Sequence, residues 1–142
     1  MSKWGAGTTS SSVDTVKIRD IPDIVSRLKA RAKERSWAAF SFDAGGEGSG
    51  DTASLQFSLE NGTVGLDWVL IERRNIKDQE RFVSLVNKRK QTVAKKEMNG
   101  VHYLRVEDGD VGALGLMVSR EIYGLDSGSE VEIFADGFNW RS

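Results

Sequence analysis

Apolar and polar residues alternate through "ASLQFSLE", with Leu55, Phe57 and Leu59 on one side and Ser54, Gln56 and Ser58 on the other. This is the period of a strand with one buried face. "WAAFSFD" alternates in the same way, with Ala38, Phe40 and Phe42 against Trp37, Ala39 and Ser41. In "TVGLDWVLI" the apolar set is Val64, Leu66, Trp68 and Leu70. Asn61-Gly62 separates the last two strands, and a two-residue type I′ turn needs positive φ at both central residues, which this pair tolerates. The three strands therefore predict an antiparallel meander.

Helical spacing replaces alternation elsewhere. Ile21, Val25, Leu28 and Ala32 form a stripe beginning beside Pro22, the only proline and well suited to a first turn. Arg27, Lys29, Arg31, Lys33 and Arg35 give that helix a basic outer face. Asn75 is placed to cap a second helix, with Asp78 three residues on and Phe82, Leu85 and Val86 facing inward. A second hairpin, "TVAKKEM" and "VHYLRVE" about Asn99-Gly100, follows. Its two lysines suit a sheet edge, where charge discourages pairing with another molecule. Asp108 or Asp110 can cap a third helix with the stripe Val111, Leu114, Val118, Ile122 and Leu125. "SEVEIFA" is the last strand.

The expected fold class is α+β. An N-terminal helix and β-meander lead into a split βαβ, ferredoxin-like βαββαβ sheet from Thr63 onward, with helices mainly on one face. Residues 1–14, small and polar, are expected to be a disordered tail, and residues 15–142 a single domain. The order α-β-β-β-α-β-β-α, running from the first helix to the third, resembles that of the small class I secretion chaperones. The likeness is one of element order, without a residue motif, and the final strand departs from it. It implies a dimer that binds extended segments of other proteins.

Composition narrows the chemistry. The chain has 142 residues, 39% apolar and 29% charged, as expected of a soluble globular protein. It has no cysteine, which excludes disulfides, thiolate nucleophiles and cysteine-ligated zinc. No segment has the apolar character of a signal peptide or a membrane span, so the expected compartment is the cytoplasm. The net charge of −1 gives no bulk attraction to nucleic acid or membrane.

The glycine-rich "DAGGEGSGD", residues 43–51, has the composition of a phosphate cradle. Such a cradle needs a helix N-terminus immediately after the glycines. Here the next residues alternate as a strand, so the stretch is expected to be a mobile, ligand-free hairpin loop. Asp43, Glu47 and Asp51 lack the spacing of a calcium loop. His102 is the only histidine and falls by alternation with Leu104 and Val106 on the buried side of a strand, which suits a satisfied or edge sheet position rather than a general base. The acids from Glu107 to Asp110 fit helix capping better than a two-metal site. Asp67 could supply a metal-binding carboxylate on a core strand, but the hairpin "MNG" has no acids to complete the set. No cofactor, metal or catalytic residue is assigned.

The expected function is a non-catalytic, cytoplasmic protein- or peptide-binding role, of the small chaperone, adaptor or immunity-protein kind. The sheet face turned away from the helices is its expected surface. Asp67, Val69, Ile71, Tyr103, Arg105, Glu132 and Phe134 fall there by alternation, a mixture rich in interface-type aromatics and arginine. Val69, Ile71, Tyr103, Arg105 and Phe134 are the candidate contacts for a partner or a second copy of the chain. Phe138 and Trp140 would extend the patch, unless the first helix crosses that face. Two alternatives remain. One is weak nucleic-acid binding through Arg73, Arg74, Lys88, Arg89 and Lys90, within a segment, residues 73–96, holding nine basic residues against two acids. The other is a hydrolase with an unfamiliar site.

Overall fold

The computed structural model describes residues 14–31, 33–43 and 52–141. The elements are β1 (Asp14–Lys17), a 3-10 turn (Ile18–Asp20), α1 (Ile21–Arg31), β2 (Trp37–Asp43), β3 (Thr52–Glu60) and β4 (Thr63–Val69). There follow α2 (Arg73–Lys77), α3 (Gln79–Lys88), β5 (Ala94–Met98), β6 (Val101–Val106), α4 (Val111–Glu121) and β7 (Glu130–Asp136). The expected tail at residues 1–13 and the glycine loop at 44–51 lie outside the described residues. Asp14, assigned to the tail by composition, instead opens β1.

The strands form one seven-stranded sheet in the order β1-β7-β2-β3-β4-β6-β5. Every neighbouring pair is antiparallel. The α+β class holds, but the ferredoxin-like order does not. In that arrangement the last strand would lie beside β4. The Asn61-Gly62 hairpin commits one edge of β4 to β3, and β6 takes the other, so β4 has no edge left. β7 therefore pairs with β2, the next free edge, and β1 adds beyond it. From β6 to β7 the chain crosses four strand intervals, about 19 Å at ~4.8 Å each. α4 and the segment after it make that crossing over the sheet.

Local chemistry accounts for the turns. Asn61 and Gly62 have φ of 52° and 79°, and Asn99 and Gly100 have 52° and 80°, as type I′ turns require. Asp110, not Asp108, caps α4, its carboxylate accepting from the Ala113 amide at 3.0 Å. Asn75 does not cap the second helix. It lies inside the short α2, and its side chain accepts from the Ser54 amide at 3.2 Å and donates to the Ser54 carbonyl at 2.9 Å. It thereby pairs the end of β3 beyond the point where β4 turns away. β5, with Lys95 and Lys96, is an edge strand of the sheet.

One apolar core joins the helices to one sheet face. Ile21, Ile24, Val25 and Leu28 of α1, Phe82, Leu85 and Val86 of α3, and Leu114 and Val118 of α4 meet Phe40, Phe57, Leu66 and Trp68. Phe82 stacks on Trp68 with ring centres 4.5 Å apart, and the Trp68 indole donates to the Asn75 carbonyl at 2.7 Å. α4 approaches β3 so closely that a β-carbon on Gly115 would lie 2.5 Å from the Phe57 ring. α1 packs against α4 on this same side. It does not cross the opposite face.

Candidate site on the helix-free sheet face

Register fixes which residues share the second face. Arg105, Asp67, Gln56, Ala39 and Phe134 form one row across β6, β4, β3, β2 and β7. Gly65, Ser58, Trp37 and Asp136 form the next row towards the hairpin end. Ser54, Ser41, Glu132 and Thr15 form the row on the other side. Among the described residues, α1, α3 and α4 pack on the opposite face, and α2 meets these rows at Ser54 through Asn75.

The β4–β6 half of this face is closed by a polar network around Arg105. Gly65 leaves the space for it, since a β-carbon there would come within 2.7 Å of the guanidinium carbon. The guanidinium lies across Gly65 and donates to Asp67 Oδ1 and Ser58 Oγ, each at 2.8 Å. It also donates to the carbonyls of Ser58 at 3.1 Å and Thr63 at 2.8 Å, while Nε donates to Glu107 at 2.6 Å. Ser58 Oγ donates to the other Asp67 oxygen at 2.5 Å. Glu60 stands 3.5 Å from Arg105 and 3.5 Å from Lys96, and accepts from the Tyr103 hydroxyl at 3.0 Å. Burial, with Glu60 beside it, holds that phenol well above its ordinary value. Burial disfavours the charged guanidinium, but Asp67, Glu107 and Glu60 together outweigh it and raise Arg105.

These contacts correct the expected exposure of three candidate residues. Arg105, Tyr103 and Val69 are buried within the chain, so none presents an open side chain. Asp67 is likewise enclosed and ion-paired, which removes it as a metal ligand. Ile71 lies past the end of β4 in a turn and is 57% exposed. Phe134 is half-buried on β7, with Ala39 beside it. Trp37 was missed as a candidate. It shares this face with Phe134, is half-buried, and lies outside the apolar core. The alternation of "WAAFSFD" already carried that signal. Phe138 and Trp140 do not extend the patch. They pack against the core on the helix side, where Arg27 of α1 donates to the Trp140 carbonyl at 3.1 Å.

The β2–β7 half differs from the β4–β6 half. Its floor is Ala39, Ser41, Ser54 and Gln56, all small except the last. Gln56 is 7% exposed, and its Nε2 is buried without a hydrogen-bond partner. Glu132 and Asp136 flank Phe134 on β7, and neither has an ion pair among the described residues. Near the same rows, burial raises Glu72, while its hydrogen bond with Ser54 pulls it the other way.

The other candidates are dispersed. Arg73 and Arg74 lie in α2, and Lys88, Arg89 and Lys90 at the far end of α3. Arg74 is held by Asp78 at 3.1 Å and lies over the Tyr123 ring; Arg89 donates to Gln91 at 2.8 Å. Arg73, Lys88 and Lys90 are exposed, in two separate places. His102 is exposed on β6 near the β5 edge. The acids after β6 all have structural uses: Glu107 on Arg105, Asp108 on the Thr92 amide at 3.0 Å, and Asp110 on α4. A groove of about 620 Å³ beside α4 is lined by Leu116, Met117 and Leu125, among others. Among the described residues, no cluster of three or more acids or histidines is arranged to hold a metal ion, and no helix is long and apolar enough to cross a membrane. The chain matches no family model, no curated protein and no solved structure.

Proposed function

We propose that this chain is a cytoplasmic protein- or peptide-binding module whose working surface is the helix-free sheet face. The observation that supports this is the apolar content of that face. Trp37 and Phe134 stand half-open on that side, and both lie outside the core cluster. An antiparallel sheet with one solvated face ordinarily alternates to polar residues there. Large aromatics that do not serve the core, on a face with a small-residue floor, are the residues that anchor interfaces.

Binding by strand addition fits less well. β5 carries Lys95, Lys96 and Glu97, and β1 is four residues long, so both sheet edges discourage a further strand. Affinity capture with the full chain and with Trp37→Ser/Phe134→Ser tests the reading. Both side chains are outside the core, so the variant retains the fold, checked by its far-ultraviolet circular dichroism. A partner retained by the parent chain and lost by the variant supports the face. Equal recovery by both rejects it.

A further inference from the structure

We propose that the segment taken by this face is an extended peptide carrying lysine or arginine, its cations seated at Glu132 and Asp136 and a backbone carbonyl received by Gln56. This rests on the reading of the face as a binding surface and adds the chemistry of the occupant. Three features carry it.

The first is the Gln56 amide, a buried donor with no acceptor, on a side chain more than nine-tenths buried. A donor left unpaired away from water is unfavourable, and an oxygen acceptor relieves it. A peptide carbonyl is such an acceptor. The nitrogen is closed to water in the free chain, so a bound segment reaches it by shifting the side chains around it.

The second is uncompensated charge. On β7 the helix-free face carries Glu130, Glu132 and Asp136. Lys17 faces Glu130 across the β1–β7 pair, but Glu132 faces Thr15 and Ser41, and Asp136 faces Trp37. A guanidinium or ammonium over the Trp37 or Phe134 ring gains a cation–π contact and a carboxylate together.

The third is spacing. Glu132 and Asp136 are four residues apart on one strand, on the same face, about 13 Å at ~3.3 Å per residue. An extended ligand lying over β2, between β7 and Gln56 of β3, presents side chains at the same interval from residues four apart.

The test uses the full chain and three ten-residue Gly/Ser peptides at low salt, since exposed charges are screened otherwise. One has Arg at its third and seventh positions, one Gln there and one Glu. Binding is read by fluorescence anisotropy and located by amide chemical shifts. The expected result is binding of the Arg peptide alone, with shifts on β2 and β7. Glu132→Gln/Asp136→Asn should weaken it about ten-fold, as two partly exposed ion pairs would. If the Gln peptide binds the same strands equally well, the charge inference fails and the face reading stands. If the Arg peptide shifts other elements, or the double variant binds it unchanged, the proposal is overturned. Binding of none of the three at millimolar concentration overturns the proposal, while the face reading is decided separately by the capture experiment with Trp37→Ser/Phe134→Ser.

Discussion

Arg105 on β6 donates to Asp67 on β4 at 2.8 Å, and neither side chain has exposed surface. The pair closes half of a sheet face that no described helix covers. It spares that half an apolar cover by satisfying the guanidinium with two side chains and two carbonyls besides Asp67.

Removing one member should be severe. Arg105→Met leaves the Asp67 carboxylate buried without its cation, a loss of about 3–5 kcal/mol. Asp67→Leu combined with Arg105→Met should recover much of that, because an apolar pair leaves no uncompensated charge. Urea unfolding of the two single variants and the double variant measures the recovery. Additive losses would contradict the pair.

Gly65 is a glycine because Arg105 lies on it. Gly65→Ala should destabilise by about 1–3 kcal/mol through overpacking. The same substitution made in Arg105→Met should be milder, since the group it collides with is gone. Equal losses in both backgrounds would place the strain elsewhere.

Gln56→Met should stabilise the free chain. It removes the buried donor that has no acceptor, which is worth about 1 kcal/mol or more. A rise in the urea midpoint with unchanged slope is the expected outcome, and a fall would mean that the amide has a partner.

Glu72 sets a pH dependence. Its folded-state carboxyl titrates above the usual carboxylate range because it is partly buried. The folded chain therefore holds that proton more tightly than the unfolded chain. Stability declines as pH rises through the carboxylate range up to the raised value. Glu72→Gln should remove this decline, so that it exceeds the parent chain at neutral pH and loses that advantage in acid. Thermal unfolding from pH 4 to 8 follows it; parallel curves for the two chains would contradict the shift.

Local signals were the legible ones. The two Asn-Gly turns need only their own positive φ, and Asp110 caps α4 from within one turn. The split of Leu55, Phe57, Leu66 and Trp68 from Gln56, Ser58, Gly65 and Asp67 follows from alternation alone. Choices between distant edges were not legible. Nothing in "SEVEIFA" says that it will pair with β2 rather than β4. β1, four residues without a clear period, offers little pattern to read. Arg105 reads as an exposed interface residue because its burial depends on Gly65, which is forty residues away in the chain but lies beneath its guanidinium in the fold.

The most direct test of the central claim is cross-saturation by nuclear magnetic resonance on the complex with a captured partner. Saturation of the partner should attenuate amides of β2, β3 and β7 around Trp37, Ala39, Ser41, Gln56 and Phe134. Attenuation centred on the outer faces of α1 and α3, or on Leu116, Met117 and Leu125 beside α4, would contradict it.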